Sequence, residues 1–495
     1  MQLSLLPILE AEFSSAARLM LPCAAAVVLL FSDSTAQQKR IYIANDDHTD
    51  YIWTANEAAY KDAFLNMLDY YLTQADQTDT LPSDFQGRFN ADGNFWMWTY
   101  QKNRSPQQFQ RLISRIRDAH ITIPMQTLVE LFGAMPTEAV LRAMYYSGRI
   151  ERQHNLRFEL AVNMENQTLS YGLPSLWAGA GAKYSWKGVC GCATTVTGLD
   201  NRSREIYRAL GPDGRTVLLK WHSLDNNQGS GGYAESRNPS AAVTFATTNG
   251  AFLSRYPYDL VVGMFGKGWD DFATYTNEFI TTARAMSNPS RRVIVSNQVD
   301  FFHDFESSAP PDSVPSYGAG FGNEWELDAA SIGEVTASMR RSIEGLRTAE
   351  ALATYASIID PGFMSSRSAS AESAFVNIGL YYEHDLSDPY HLSGAERSGF
   401  QRRLATQINN YVSTLRAEAA ALLASNIKNQ TAAQRFYVFN PLGWSRTDVA
   451  DIQSSVGGAF RVIDVGTGQE VRSQRITVNG QNYVRVLAEN VQAVG

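Results

Sequence analysis

The segment from Arg40 to Trp53, RIYIANDDHTDYIW, constrains the chain more than any other part of the sequence. Its apolar start, Ile41–Ala44, predicts a β-strand because β-branched and aromatic residues favour strands. His48 and Asp50 follow two residues apart, a spacing that puts both side chains on one side of an extended backbone. An imidazole and a carboxylate just past the carboxyl end of a strand can hold a divalent metal. The alternative is a polar loop in which Asp50 caps the next helix.

The length and the charge narrow the class of protein. A chain of 495 residues is too long for one hydrophobic core and suggests about three domains. The formal net charge of −8 gives no reason to expect nucleic acid as a partner. The sequence leaves the oligomeric state open.

The N-terminal region predicts export. An apolar run from Leu19 to Phe31 follows Arg18 and precedes a small-residue site that ends at Ala36. Such a run is too short to span a bilayer and is typical of a signal peptide. We therefore expect residues 1–36 to be a signal peptide, and the mature chain to be secreted or periplasmic without contact with a membrane.

Apolar segments alternate with amphipathic helical patterns up to about residue 325, which predicts an α/β domain with a mostly parallel sheet. The predicted strands are Ile41–Ala44, Ile121–Met125, Leu160–Met164, Val217–Trp221, Leu260–Met264 and Val293–Ser296. The predicted helices are Glu57–Thr73, Pro106–Ala119, Thr137–Ser147 and Phe272–Met286. Three of the strands lead to Asp50, Glu165 and Asp300. Because parallel strands end at one edge of a sheet, these carboxylates should cluster there, although acidic residues also cap helices in such loops.

The pattern changes twice in the remaining chain. Apolar residues at helical spacing, first from Val335 to Ala349 and then from Phe400 to Leu415, predict a helical bundle over residues 326–432. Strand patterns follow at Phe436–Pro441, Arg461–Val465, Gln474–Val478 and Tyr483–Leu487. With turns at Gly466–Gly468 and Asn479-Gly480, they predict the start of a β domain at residues 433–495, truncated before its closing elements.

Three segments, in this order, resemble motifs of the glycoside hydrolase family 38 α-mannosidases. They are His48-Thr-Asp-Tyr-Ile-Trp53, similar to the family's His-x-Asp-Pro-Gly-Trp, then His384-Asp385 in the helical region, then Phe439-Asn-Pro-Leu-Gly-Trp-Ser-Arg446 at the start of the β domain. The resemblance implies a catalytic domain like a seven-stranded β/α-barrel at residues 37–325, then the helical bundle, then a β-sandwich.

The resemblance also implies a site and a reaction. It implies one Zn²⁺ ion, held by His48, Asp50, Glu165 and His384. It implies an exported retaining glycoside hydrolase that removes terminal α-linked mannose, or a similar sugar, from glycans. Glu165 would be the nucleophile and Asp300 the acid/base. The remaining implied residues are Trp53 and Asp385 for substrate binding, and Asp304, Glu306 and Glu324 as further acid/base candidates.

The nucleophile position departs from the family pattern. Glu165, nine residues before Pro174, stands where the family has Asp. The longer side chain can displace the attacking oxygen by about a bond length, which is enough to impair turnover. A sugar-binding homologue without activity and a zinc-dependent carbohydrate esterase are therefore alternatives. Glu165 and Asp300 distinguish them, because a glycosidase needs two carboxylates at one anomeric carbon, whereas an esterase needs a metal-bound water and one base.

Overall fold

A computed structural model describes residues 38–164, 168–188, 204–221, 234–258, 260–268, 272–320, 324–386, 390–428 and 433–494. The predicted signal peptide (residues 1–36) and Glu165 lie outside these ranges, as does the side chain of Glu324. The described chain from Gln38 onward belongs to one compact unit. The predicted boundaries after residues 325 and 432 therefore stay predictions.

The helices and strands are named here in chain order. The strands are β1 Lys39–Ala44, β2 Phe89–Asn90, β3 Ile121–Thr122, β4 Leu160–Asn163, β5 Tyr184–Lys187, β6 Ile206–Leu210, β7 Thr216–Trp221, β8 Val261–Phe265, β9 Arg291–Ser296, β10 Ser316–Tyr317, β11 Arg446–Gln453, β12 Val462–Ile463, β13 Glu470–Val471, β14 Ser473–Val478 and β15 Gln481–Val491. The helices are α1 Glu57–Thr78, α2 Asn94–Asn103, α3 Pro106–Arg117, α4 Thr137–Ala143, α5 Tyr145–His154, α6 Leu173–Ala180, α7 Pro239–Thr248, α8 Gly250–Arg255, α9 Glu278–Met286, α10 Gln298–Ser308, α11 Asp328–Ser331, α12 Gly333–Ile359, α13 Ser368–Tyr381 and α14 Gly394–Ser425.

Two mostly parallel sheets form the first part of the chain. One has the order β8-β1-β9, with both pairs parallel, and the other has the order β10-β6-β7-β5-β4. The register sets Ala44 at the end of β1 opposite Phe265 of β8 and Ser296 of β9. Just past β1, Asp46 pairs with Asn90 at the end of β2. These chain ends therefore meet at one edge. Of the three strands predicted to end together, β1 and β9 lie in the sheet β8-β1-β9, whereas β4, which leads to Glu165, lies in the other. The α/β class is confirmed. The closed seven-stranded barrel stays a prediction.

Helices α12, α13 and α14 follow the sheets, and α14 packs against both α12 and α13. The helical bundle over residues 326–432 stays a prediction. The longest, α14, begins with a capping box in which Ser393 and Glu396 satisfy each other's backbone N–H groups. Its buried apolar side chains recur at helical spacing, which explains why both long helices were predictable. Among the described residues, no helix combines the length and the apolar character that crossing a membrane requires.

The C-terminal strands form a three-stranded antiparallel sheet of order β11-β15-β14 and the pair β12-β13. Asn479 and Gly480 both have positive φ in the turn between β14 and β15, as the sequence predicts. A β-sandwich stays a prediction.

The predicted strand Phe436–Pro441 is wrong. Those residues have no regular structure, because Pro441 has no N–H to donate and the Asn440 side chain holds the segment instead. The Asn440 amide donates to the carbonyls of Trp444, Val491 and Gln492 at 2.8, 3.2 and 3.0 Å.

Candidate metal centre

The polar segment that follows β1 is buried along its whole length. Residues 45–50 are all at most 6% exposed, although each has a polar side chain. Burial of this kind is costly unless partners are supplied, and neighbouring loops supply them. The backbone N–H of Lys267 donates to Asp46 at 2.6 Å, and the Thr274 hydroxyl donates to Asp47. Burial raises the pKa of Asp46 to about 8. The segment is therefore held rigidly from several sides.

Three side chains converge beside this segment. The Nε2 atoms of His48 and His384 each lie 3.0 Å from Oδ1 of Asp50. One ligating atom from each residue lies within 4.8 Å of the other two, and all three residues are buried. His384 lies just after the end of α13. Asp50 and His384 therefore come from parts of the chain that are 334 positions apart. This cluster of three residues is called the candidate metal centre below.

A second carboxylate stands behind each histidine of the centre. Nδ1 of His48 lies 3.2 Å from Oδ2 of Asp92, and Nδ1 of His384 lies 2.8 Å from Oε1 of Glu383. The Asp92 carboxylate also accepts the backbone N–H of Thr49 at 3.0 Å. Carboxylates in this position orient metal-binding histidines and fix which ring nitrogen points inward. Sequence reasoning missed both. Glu383 directly precedes His384, and that adjacency is the signal that could have found it.

The donor set fits a zinc ion. Two imidazole nitrogens and one carboxylate oxygen are ligand types that Zn²⁺ takes in protein sites that keep a position open for substrate. The outer carboxylates at both histidines match the usual support of such a set. Asp385 lies beside the same point, with Oδ2 3.8 Å from Nε2 of His384. The fourth predicted ligand, Glu165, lies outside the described residues.

Asp50 does not cap the helix that follows it. Helix α1 begins at Glu57, and its N-cap is Asn56, whose side chain accepts the N–H of Ala59. Asp50 faces the histidines instead.

The turn after Asp50 has a conformation that its sequence disfavours. Ile52 has φ = 69°, in the left-handed region that β-branched residues rarely adopt, at a cost of about 1–3 kcal/mol. This is the position where the resemblance places the glycine of Pro-Gly. The neighbouring Tyr51 ring packs among Tyr60, Phe95 and Phe400 with centroids 5.2, 5.3 and 6.0 Å away. That packing, together with burial of Ile52 itself, holds the backbone in the conformation suited to glycine.

Trp53, the predicted sugar-binding residue, ends this turn at the protein surface. Its ring stacks on Tyr390 with centroids 5.2 Å apart and an interplanar angle of 9°. The Trp53 carbonyl accepts the N–H of His391. Trp53 is half-buried and Tyr390 is exposed, and aromatic rings of this kind suit the apolar face of a sugar ring.

Asp300, the predicted acid/base, lies in the first turn of α10, whose N-cap is Asn297. Its carboxylate lies 3.7 Å from Nη1 of Arg88, and Arg88 in turn donates to the carbonyl of Ala119 just before β3. The pKa of Asp300 is raised, because the effect of burial exceeds the opposing effect of the Arg88 guanidinium. Asp300 thus faces the loops that precede β2 and β3, and it is not one of the three residues of the centre. Its role stays a prediction.

Two of the further acid/base candidates have other partners. Asp304 accepts from Nε of Arg40 at 2.6 Å and from the hydroxyl of Tyr42 at 2.8 Å. Glu306 accepts the Tyr184 hydroxyl at 2.8 Å. Arg40 lies at the amino-terminal part of β1, away from the edge that carries His48.

Known structures share this fold. No family model matches the sequence, and no curated protein sequence matches it. An α-mannosidase from Enterococcus faecalis superimposes with a TM-score of 0.66 at 14% identity, over 92% of this chain and 55% of that one. A protein of glycosyl hydrolase family 38 from the same organism gives a TM-score of 0.61 at 15% identity, over 92% and 53%. The resemblance to family 38 is thus confirmed for the fold, and the chain spans about half the length of these structures.

Proposed function

We propose that this chain is the catalytic part of an exported, zinc-dependent retaining glycoside hydrolase that removes terminal α-linked mannose, or a similar sugar, from glycans. The observation that carries the proposal is the meeting of His48, Asp50 and His384 at one buried point. It is supported by the fold shared with α-mannosidases. Two imidazoles and a carboxylate at one point are ligand types that zinc takes in catalytic sites.

His48, Asp50, His384 and the predicted ligand Glu165 would hold the zinc ion. When bound, the ion would grip neighbouring hydroxyls of the sugar and fix the ring for attack. In the proposed mechanism the Glu165 carboxylate attacks the anomeric carbon. Asp300 protonates the leaving oxygen and then activates the water that releases the sugar.

The residues around the centre suit a sugar substrate. The stacked Trp53 and Tyr390 rings offer an aromatic face at the protein surface, and Asp385 offers a carboxylate to sugar hydroxyls. The signal-peptide pattern at residues 1–36 supports export to a compartment in which free glycans and glycoproteins are accessible.

The test is a panel of aryl glycosides assayed with and without a chelator. We expect hydrolysis of α-mannosides that is lost on chelation, restored by Zn²⁺ and absent in His384→Ala. The matched control is His303→Ala, because His303 is exposed and pairs with Glu159 outside the centre.

Two results would contradict the proposal and favour one of the two alternative functions. Sugar binding by calorimetry with no glycoside cleaved would indicate a binding homologue. Chelator-sensitive release of acetate from acetylated sugars, with all glycosides intact, would indicate an esterase.

A further inference from the structure

Arg397, near the start of α14, reaches from the helical region into the loops of the candidate metal centre. It is only 1% exposed, and its guanidinium donates hydrogen bonds to those loops. Nη1 donates to the carbonyl of Tyr51 at 2.5 Å, and Nε donates to the carbonyl of Leu386 at 3.2 Å. One guanidinium thus binds the residue that follows Asp50 and the residue that follows Asp385.

The third contact of Arg397 is to Glu383. Nη2 donates to Oε2 of Glu383 at 3.0 Å, and Glu383 is fully buried. The same carboxylate accepts the backbone N–H of Tyr51 at 3.2 Å and that of Asp385 at 3.3 Å. Its Oε1 also lies 2.8 Å from Nδ1 of His384. Glu383 therefore touches both ligand-bearing loops and one ligand directly.

The turn that these groups hold is the strained one. Tyr51 is bound at its N–H by Glu383 and at its carbonyl by Arg397, and the next residue, Ile52, has φ = 69°. An isoleucine does not maintain that conformation unless its surroundings impose it. Fixing both backbone groups of Tyr51 fixes the direction in which the chain leaves Asp50.

We propose that Arg397 and Glu383 are positioning residues, which together hold Asp50 and His384 in the geometry that binds metal. The inference rests on the proposed zinc function and adds residues that no resemblance supplied. A buried, planar guanidinium has a fixed donor geometry that a flexible ammonium lacks, so the role requires arginine rather than any cation.

The experiment measures zinc affinity in the folded protein by competition with a chromophoric chelator, and cobalt absorption spectra as a record of ligand geometry. The variants are Arg397→Lys, which keeps the buried charge, and Arg397→Met. The matched control is Arg402→Met on the same helix, because Arg402 pairs with Glu334 at the surface, with side chains 55% and 68% exposed.

We expect zinc affinity to fall about 10–100-fold in Arg397→Met, the range for residues that orient metal ligands, and less in Arg397→Lys. The cobalt spectrum should change in both and stay unchanged in Arg402→Met. Ile52→Gly should relax the turn, so Ile52→Gly combined with Arg397→Met should regain part of the lost affinity. If Arg397→Met does not fold, as a melting curve would show, Arg397→Lys carries the same test.

The outcomes separate this inference from the proposed function. If the parent protein binds no zinc, the proposed function fails. If the parent binds zinc and both Arg397 variants bind it equally well with unchanged cobalt spectra, the inference alone is overturned. Equal losses in Arg397→Met and Arg402→Met would also overturn it, because they would reflect general destabilisation.

Discussion

Removing the metal should lower the melting temperature by an amount that can be estimated. Under the proposed function zinc binds only the folded chain, so a free zinc concentration about 1,000 times its dissociation constant would stabilise that state by about 4.1 kcal/mol. The described chain belongs to one compact unit, and the sequence has 495 residues. At about 2.1 cal/mol/K per residue, the entropy of unfolding is about 1 kcal/mol/K. Chelation should therefore lower the melting temperature by about 4 °C, and by more if a smaller unit unfolds cooperatively.

The assay is differential scanning calorimetry of the zinc-loaded and chelated protein, with metal content checked by elemental analysis. His48→Ala lacks one ligand, so it should melt close to the chelated parent and respond little to chelator. Confirmed loss of metal with an unchanged melting curve in the parent would refute the reasoning. It would mean that His48, Asp50 and His384 hold no ion that matters to folding.

Three further predictions concern single carboxylates. Glu165→Gln should lower kcat by several orders of magnitude while the fold survives, with a melting temperature closer to that of the chelated parent because Glu165 is also a predicted zinc ligand. Glu165→Asp tests whether the pocket has adapted to the longer side chain. If both variants hydrolyse glycosides like the parent, Glu165 is not the nucleophile. Asp92→Asn should weaken zinc binding about 10–100-fold in a chelator competition, since it supports His48; unchanged affinity would contradict that role. Burial raises the pKa of Glu130 well above its ordinary value near 4.5, so the fold favours its protonated form and loses this stability as pH rises through the folded pKa. The melting temperature of Glu130→Gln should therefore rise relative to that of the parent as the pH increases above about 4.5, and a difference that is constant with pH would contradict this.

The local pattern of apolar and polar residues predicted most of the secondary structure. Alternating apolar segments located β1, β4, β7, β8 and β9 to within a residue or two, because those strands are buried and built from residues that favour strands. Boundaries and interruptions were less predictable. The predicted helix Thr137–Ser147 is broken at Met144 into α4 and α5, and the predicted helix Phe272–Met286 begins only at Glu278. Such breaks depend on what each turn packs against and not on its own residues.

The sequence also determined part of the candidate metal centre. The spacing of His48 and Asp50 after a strand predicted that both side chains lie on one side of the chain. His384 was predicted as a third ligand only because His384-Asp385 resembles a motif of a known family. No spacing rule connects Asp50 with His384 across 334 positions.

Only the tertiary structure decided what surrounds these ligands. In the sequence, nothing distinguishes Asp92, Glu383 and Arg397 from other charged residues. They are buried in the folded protein, and a buried charge is costly unless it has a partner. The turn at Ile52 shows the same division. The residue itself disfavours φ = 69°, and contacts from a helix almost 350 positions away in the chain hold it there. Short-range chemistry sets what each segment can form, while burial and long-range packing select which of those possibilities the folded protein keeps.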